Sequence, residues 1–475
     1  METLLEPVRN LVDTQLFVSA HVLIIGVHVI LLGVAYLVYL ERKISSYIQD
    51  RIGPNRVGFD FGLPFLKFLS TDGPLKGLWG LGQPLADGVK FLLKEDYTPT
   101  KADKALFTLA PVVIIIPALI GFAVIPWGGV WMVPPIGDVP IVGPIGEWIF
   151  GPIGGEEVLV AGANINIGVV YLLAVGSLGV YGVTLGGWAS NSKYSFLGGM
   201  RATAQMISYE IPMGLSLLAV LLLAGTLLPQ AIIEHQVENG WMMITQPLAC
   251  VLFFICALAE ANRAPFDNAE AEQELVGGYH TEYSSMRFAL FFLAEYAHMV
   301  TGAAFFVLLF MGGYHLPLGW LGFGAEHLLS PENTTLAGML AKVLVFGGKV
   351  ALINCFQMVI RWTLPRLRYD QVMMLGWQTL IPVSLGVVVV TSVMVAFGWT
   401  GIGHMLLANV VVIGLVYLFQ TTLPRSTANT RTRLYGSRFY PAAGTIAQTA
   451  PTDPTALEDR PIEGTTGEPA QPAMG

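Results

Sequence analysis

The chain has 475 residues, of which 54% are hydrophobic and only 12% are charged. A soluble domain carries roughly twice that charged fraction, so the composition favours a protein whose surface faces lipid. The net charge of −8 argues against a nucleic-acid partner, because no basic surface exists to bind phosphates.

The cysteines lie in apolar stretches, at Cys250, Cys256 and Cys355. An iron–sulfur cluster needs about four well-spaced thiolates, so we interpret them as small packing residues and expect no metal site.

Nine apolar stretches are long enough for membrane helices, which need about 20 residues. The first is too long for the apolar region of a signal peptide, so we expect it to be retained. The pattern predicts an all-α polytopic membrane protein with about nine transmembrane helices, near 16–40, 105–125, 164–187, 203–228, 245–262, 287–312, 339–361, 374–397 and 404–423.

The basic residues are confined to every second loop. Of the 25 Lys and Arg residues, 22 lie in the odd-numbered loops and in the tail. Cytoplasmic loops attract Lys and Arg, so we predict an outside N-terminus and a cytoplasmic C-terminus. The predicted cytoplasmic loops are 41–104, 188–202, 262–287 and 361–373. Residues 1–423 form the membrane domain, and the polar tail 424–475 is predicted to be mostly disordered.

The first cytoplasmic loop opens with a charged and turn-rich run, ERKISSYIQDRIGPNRVG, at 41–58. Anchoring by positive charge alone is the simpler interpretation, but it does not explain Glu41, Gln49 and Asp50. Further along, Leu81, Leu85, Val89 and Leu92 fall on one helical face. Asp87, Lys90 and Lys94 fall on another. This spacing predicts an amphipathic helix in the membrane interface, with an ordinary packed loop helix as the alternative.

The third cytoplasmic loop is strongly acidic. Between 260 and 283, one basic residue, Arg263, stands among six carboxylates: Glu260, Asp267, Glu270, Glu272, Glu274 and Glu282. Crowded like charges raise one another's pKa, which suits proton carriers. On a helix, Glu270 and Glu274 would share a face and Glu272 would point away. A solvated acidic loop is the alternative.

Some ionisable residues fall inside predicted spans. Glu210 and Glu295 lie about two turns from the cytoplasmic ends of their spans, or roughly 10–12 Å. His298 lies one turn beyond Glu295, and Lys349 lies mid-span. Charges in lipid are costly and usually mark transport paths, although a salt bridge or simple packing is the alternative. Together these residues predict a polar chamber that opens to the cytoplasm and narrows into a proton path.

Several charged blocks resemble those of one family. They are ERK…QDRIGPNRVG (41–58), QMISYEIP (205–212), AEANRAPFDNAEAEQELVGGYHTEY (259–283), FFLAEY (291–296) and TLPRLRYDQVMMLGW (363–377). They closely resemble, in order, the signature blocks of one membrane subunit of respiratory complex I, which is designated H in bacteria and 1 in mitochondria.

The resemblance implies a subunit that joins the peripheral and membrane arms and forms much of a quinone tunnel. It implies quinone as a substrate, with none bound covalently, and no NADH, flavin or iron–sulfur site on this chain. It also implies the other complex I subunits and membrane lipid as partners, in the inner (plasma) membrane.

The same resemblance assigns roles by position. The quinone tunnel would involve Glu41, Arg42, Gln49, Arg51, Gly53, Pro54, Arg263, Pro265 and Phe266. The proton relay would comprise Glu210, Glu260, Asp267, Glu270, Glu272, Glu274, Glu282 and Glu295. A docking surface for the peripheral arm would contain Arg361, Arg366, Arg368, Tyr369 and Asp370.

Other classes of protein stay open. The membrane anchor of a membrane-bound hydrogenase shares some acidic positions, but the density of matches in the first and the acidic loops favours complex I. A stand-alone cation/proton antiporter would not need charged docking loops, and a structural scaffold would not need Glu210 and Glu295. The outer loops at 126–163 and 313–338, the ninth span and the tail are additions relative to the mitochondrial form.

Overall fold

The computed structural model describes residues 13–59, 79–135, 154–270, 272–317 and 326–422. Helices dominate these ranges. In the first half of the chain they are α1 (Thr14–Ile48), α2 (Gln83–Leu93), α3 (Lys104–Ile120), α4 (Gly168–Ala189), α5 (Lys193–Ala224) and α6 (Pro229–Asn239). In the second half they are α7 (Met242–Thr245), α8 (Pro247–Glu260), α9 (Glu272–Leu275), α10 (Ser285–Phe310), α11 (Glu326–Leu329), α12 (Leu336–Thr363), α13 (Tyr369–Met374), α14 (Ile381–Ala396) and α15 (Ile402–Thr422).

Seven described helical segments are long and apolar enough to cross a membrane: Thr14–Ile48, Lys104–Val124, Gly168–Ala189, Lys193–Ala224, Ser285–Phe310, Leu336–Thr363 and Tyr369–Ala396. The apolar helices Pro247–Glu260 and Ile402–Leu418 are shorter. The all-helical prediction is therefore confirmed, and an apolar helix lies at each of the nine predicted positions. The count of nine crossings and the orientation of the termini stay predictions.

The fourth span differs from its predicted bounds. Helix α5 begins at Lys193, ten residues before the predicted start, so most of the predicted loop 188–202 is helical. Gly198 and Gly199, which look like turn residues in sequence, instead allow close packing. A Cβ at Gly198 would lie 2.6 Å from the backbone nitrogen of Tyr279. Glu210 is consequently about 25 Å along its helix rather than two turns from its start.

The loop 126–163, which was predicted to lie outside, is partly ordered as a small sheet. Strands β1 (Val130–Met132) and β2 (Glu157–Leu159) pair antiparallel, with Trp131 opposite Val158. Val158 and Val133 pack on Val18 of α1, so this part of the predicted surface insertion covers the start of the first long helix. The remainder of that loop, at 136–153, lies outside the described residues.

The core of the bundle lies where α4 packs between α3 and α5, with α8 and α14 against α5 and α10 against α3. Small residues bring these backbones together, as is usual between membrane helices. Aromatic rings fill the space near the acidic loop: Phe107 stacks on Tyr283 at 3.9 Å, and Phe291 meets the same tyrosine edge-on at 4.8 Å. This packing holds the acidic loop against two long helices, α3 and α10.

Helix α2 has the predicted amphipathic sequence. It begins at Gln83 with Pro84 in its first turn, where the missing N–H costs no hydrogen bond. Leu85, Val89 and Leu92 are exposed, so an apolar face is available to lipid. The helix is confirmed, and its position in the membrane interface stays a prediction.

The described part of the chain divides at Leu415. Residues up to Leu415 belong to one compact unit, and a second unit runs from Val416 to Gly475. Of the second unit only the end of α15 is described, and the tail predicted at 424–475 lies outside the described residues.

Candidate functional site

A cavity of about 570 Å³ lies between α1, α2 and α10. Its walls are mostly apolar, and Val38, Leu85 and Phe292 are among them. Polar groups also line it: Arg42 Nη1 pairs with Asp87 Oδ2 at 2.9 Å. An apolar cavity with a few fixed polar groups is typical of a site for a largely hydrophobic ligand.

A buried arginine lies directly behind one wall of this cavity. Arg263 is 4% exposed, and its guanidinium lies 5.7 Å from the ring centre of Phe292 and 4.0 Å from that of Tyr296. Its Nη2 lies 3.7 Å from Glu295 Oε2. Burial by itself lowers the pKa of Arg263, but Tyr296, Glu295 and Glu41 outweigh it and raise the pKa. The guanidinium therefore stays charged, held by aromatic faces and a carboxylate.

Glu41 joins three helices at the same place. This buried carboxylate of α1 accepts a hydrogen bond from the Tyr296 hydroxyl of α10 at 2.5 Å. Its other oxygen lies 2.6 Å from Arg361 Nη1 of α12. The Arg361 side chain thus pairs with Glu41, and its predicted role in a docking surface stays a prediction.

The acidic loop supplies further contacts to this buried group of charges. The Tyr279 hydroxyl donates to Glu295 Oε1 at 2.7 Å, and His280 Nε2 lies 3.2 Å from Glu270 Oε1. Gly278 makes this arrangement possible. Its φ is +62°, and a Cβ there would lie 1.8 Å from the Ala269 carbonyl oxygen, so only glycine allows the loop to pass so closely.

The titrating groups of the acidic loop have pKa values that are shifted in different directions. Burial and the neighbouring Glu270 raise the pKa of Asp267 to about 7, against the opposing effect of Arg366. Burial by itself would raise the pKa of Glu270 as well, but the hydrogen bond and charge of His280 lower it. The pKa of His280 is raised by the same partner, despite burial. Of these two carboxyl groups, Asp267 is therefore the one that is more easily protonated.

Glu270 and Glu274 would share a face only if one helix carried both, and Glu270 lies outside the described helix. The described helix, Glu272–Leu275, has only four residues and starts after Glu270. Glu274 instead pairs with Arg201 of α5 at 2.6 Å, near the surface. The glycine-rich turn at Gly277 and Gly278 ends the helix early. The side chain of Glu272 lies outside the described residues, and half-buried Glu282 has no described hydrogen bond or ion pair.

Two more predicted carboxylates lie deeper in the bundle. The Ser177 hydroxyl of α4 donates a hydrogen bond to Glu210 of α5. Glu260, at the end of α8, faces Gly176 on the same helix α4. The structure therefore brings Glu41, Glu270, Asp267 and Glu295 together near Arg263, with Glu210 and Glu260 in a second group.

The residues predicted to bind quinone are more dispersed. Arg42 lines the cavity, whereas Gln49 and Arg51 are exposed and hydrogen-bond to each other at 2.8 Å. Gly53 adopts a φ of +73° in the predicted turn beside Pro54. Phe266 packs against Tyr209 at 5.4 Å, and the Pro265 carbonyl accepts the Leu367 N–H at 3.1 Å. These last contacts order the loop rather than line the cavity.

Comparison with known proteins places these features in one family. The family described as NADH dehydrogenase matches residues 21–392. The chain is 43% identical over 358 residues to an H-type subunit of the NADH-quinone oxidoreductase of Cytophaga hutchinsonii, which covers 75% of this chain and 90% of the relative. It is 44% identical over 368 residues to the corresponding H-type subunit of Geobacter metallireducens, covering 77% and 92%. The chain belongs to this NADH dehydrogenase family. The predicted family and membrane class are thereby confirmed.

The family match includes every predicted site residue and ends before α15. All of the relay and tunnel positions of this NADH dehydrogenase family member fall within 21–392, whereas α15 begins at Ile402. The interpretation of the ninth apolar segment as an addition to a shared core is therefore consistent with the extent of the match.

Lys349 of this family member is bound as a structural group. Its ammonium donates to the backbone carbonyls of Met311, Gly313 and His315 at 2.6, 2.9 and 2.6 Å. It also lies 4.6 Å from the ring centre of Trp241. A lysine that satisfies the carbonyls just after a helix end stabilises that end, so Lys349 fixes the C-terminus of α10.

The neutral members of the site were not predicted from the sequence. Tyr296, Tyr279 and Ser177 each hydrogen-bond to a carboxylate, but the sequence draws attention to charged residues in apolar stretches. A usable pattern was present for Tyr296, which directly follows Glu295 in an aromatic run. Nothing local in the sequence indicated Ser177, because its partner is 33 residues away.

Proposed function

We propose that this chain is the quinone-cavity subunit of complex I and couples quinone reduction to proton movement. The single observation that carries the proposal is the unbroken contact from the apolar cavity to the acidic loop. Phe292 lines the cavity, Arg263 lies over Phe292, Glu295 pairs with Arg263, and Tyr279 bonds Glu295. A charge change in the cavity therefore acts on carboxylates that exchange protons.

The cavity suits a quinone in shape and polarity. Its apolar walls match an isoprenoid tail, and Arg42, Gln83 and Tyr39 offer polar groups for a headgroup that passes them. Exposed apolar residues of α2 lie at its edge, so we infer that quinone reaches it from the bilayer. Reduction of the quinone takes up two electrons from a partner subunit and two protons to give the quinol.

The coupling step follows from the electrostatics of the loop. Because the charge of Glu270 acts on the pKa of Asp267, a change of one charge nearby shifts the protonation of Asp267 rather than creating an isolated buried charge. Arg263 and His280 compensate whichever carboxylate is ionised. We propose that Glu295 and then Glu260 and Glu210 receive the resulting shift and pass it towards the membrane arm.

The proposed arrangement in the membrane has nine spans, with the N-terminus outside and the C-terminus cytoplasmic. The loops 41–104, 262–287 and 361–373 would contact the peripheral arm, and lipid would surround the apolar helix faces. The domain division at 423 and 424 and the location in the inner membrane belong to the same proposal.

The decisive experiment is purification in mild detergent through a tag on this chain. The proposal predicts co-purification of flavin, iron and large partner subunits, with NADH:quinone reduction that a quinone-site inhibitor blocks. Purification with nickel and hydrogen-dependent activity would instead indicate a hydrogenase anchor. Purification of the chain alone, with cation/proton exchange in vesicles, would indicate an antiporter.

The Glu210→Gln variant tests the coupling role separately. Glutamine keeps the size of the side chain and its hydrogen bond with Ser177, but it cannot carry a proton. We expect normal assembly and a strong loss of quinone-coupled proton movement. Full activity in an assembled Glu210→Gln complex would contradict the role given to this carboxylate.

A further inference from the structure

A second, much smaller cavity lies between α4, α8 and α10. It has a volume of about 40 Å³, and its walls include Leu172, Met213 and Phe305. Glu260 and His298 also line it. The cavity is thus an apolar space into which two ionisable side chains project.

Both ionisable side chains face the same helix. A Cβ at Gly176 of α4 would lie 2.8 Å from Glu260 Oε1, and a Cβ at Gly179 would lie 2.8 Å from His298 Nε2. Positions three apart on a helix have Cβ atoms about 5–6 Å apart. The two glycines therefore leave room for an oxygen and a nitrogen on adjacent turns of one helix.

The imidazole lacks a partner at this place. His298 Nε2 is buried and has no hydrogen bond among the described residues. Thr301, which also lines the cavity, already donates to the Ala297 and Ala118 carbonyls. Buried polar atoms are nearly always satisfied, by protein or by ordered water, so Nε2 requires a partner that fits the cavity.

The volume of this cavity is sufficient to hold a water molecule. One water occupies about 30 Å³ in the liquid and needs two or more polar partners. A water bridge joins two atoms that each lie about 2.8 Å from its oxygen. Glu260 and His298 are the ionisable residues that line this cavity, and they are the candidates for these two partners.

We propose that this cavity binds one water molecule between Glu260 and His298, and that His298 is a relay residue for protons. A protonated Glu260 gives its proton to the water, and the water gives one to His298 Nε2. The carboxylate and the imidazolium are the products, and the water is unchanged. This proposal rests on the proposed function, because it concerns the same proton path.

The position of His298 explains why such a link is useful. It follows Glu295 by three residues on α10, so it lies one helical turn beyond Glu295 and the group around Arg263. Glu260 on α8 interacts electrostatically with Glu210 on α5. Glu210 in turn accepts a hydrogen bond from Ser177 on α4. The bridge therefore connects the group around Arg263 with the deeper pair Glu260 and Glu210.

The test uses the assembled complex in liposomes, with quinone reduction and proton uptake measured together. His298→Gln keeps a group that can hold the water but cannot take a proton, and His298→Leu removes both abilities. Gly176→Ala places a Cβ against Glu260 Oε1. The matched control is Gly214→Ala on α5, where a Cβ would meet only Leu173 at an ordinary 3.6 Å.

We expect proton-coupled turnover to fall by about 10²-fold in both His298 variants, as for loss of a positioned proton carrier. Gly176→Ala should also lower it, and Gly214→Ala should match the parent protein. If His298→Leu does not assemble, His298→Gln and Gly176→Ala still decide the matter. A His298→Gln complex with parental proton uptake would overturn the relay, and a high-resolution map without water in the cavity would overturn the bridge.

Two further variants distinguish this proposal from the proposed function. Glu295→Gln and Glu210→Gln are measured in the same series. If both pump protons normally, the proposed coupling path itself fails. If both are impaired while His298→Gln is normal, only the step through His298 fails.

Discussion

Tyr296 contacts two groups of opposite charge at once. Its ring face lies 4.0 Å from the Arg263 guanidinium, and its hydroxyl donates to Glu41 at 2.5 Å. An aromatic face attracts a cation, and a phenol donates best to an anion. One neutral residue thereby separates a buried arginine from a buried glutamate and stabilises both.

The two contacts of Tyr296 can be removed one at a time. Tyr296→Phe keeps the ring under Arg263 and loses only the hydrogen bond, whereas Tyr296→Leu loses both contacts. We expect Phe to cost about 1–3 kcal/mol of stability and Leu to cost more and to lower quinone reduction. Thermal unfolding of the purified complex and its KM for quinone measure these effects. Equal behaviour of the two variants would contradict a role for the ring.

Asp267 should give the enzyme a titration near neutral pH. Its pKa is raised to about 7 by burial and by Glu270, so Asp267 loses its proton near neutral pH. We expect the pH profile of quinone reduction to contain this group, and Asp267→Asn to remove it. The profile of an assembled Asp267→Asn complex, measured between pH 5 and 9 with inhibitor-corrected rates, is the check.

The same shift has a defined sign for stability. The folded-state pKa of Asp267 is raised above its ordinary value, so its contribution to stability is full below about pH 4. That contribution is lost as pH rises through about 7. The melting temperature should therefore fall less, or rise more, between about pH 4 and 7 in Asp267→Asn than in the parent protein. An unchanged slope would contradict the raised pKa.

Glu270 and Glu274 form a matched pair of variants. Glu270 is held by His280 inside the loop, whereas Glu274 forms a partly exposed ion pair with Arg201. Exposed ion pairs contribute only about 0–1 kcal/mol, so Glu274→Gln should leave activity and stability nearly unchanged.

Glu270→Gln should remove the like charge next to Asp267 and lower the pKa of that residue. We expect the titration near pH 7 in the pH profile of quinone reduction to move to lower pH. The rate of quinone-coupled proton movement should fall. Activity and its pH profile are measured for both variants in the same membranes. A larger loss in Glu274→Gln than in Glu270→Gln would show that the assignment is reversed.

Lys349 should behave as a structural residue. Lys349→Met leaves three backbone carbonyls without their donor, and each such buried group costs about 1–3 kcal/mol. We expect a lower melting temperature and less assembled complex, but a normal ratio of protons to electrons in the complex that does assemble. A reduced ratio at normal stability would place Lys349 in the proton path instead.

Much of the helical framework was predictable because apolar length is a local property. The acidic loop and the intramembrane carboxylates were also visible, since charge in an apolar sequence stands out. The start of α5 was not predicted, because the close packing of Gly198 depends on the backbone of Tyr279, which is about 80 positions away in the sequence.

The site was predictable in its charges but not in its pairing. Nothing in the spacing of Glu270 and Glu274 shows that Gly278 ends the helix early and brings His280 to one of them. Arg361 looked like a surface residue because basic loops usually are. Its pairing with Glu41 joins positions 320 residues apart and follows only from the packing of α1 against α12.

The hydrogen bonds of Lys349 restrict how α10 can move when the charges along this helix change. Its ammonium holds the chain just beyond Phe310, at the end opposite the acidic loop. Glu295, Tyr296 and His298 lie along the same helix. Because these hydrogen bonds tie the far end of α10 to α12, we expect the helix to respond to a change of charge by tilting or twisting rather than by sliding along its axis.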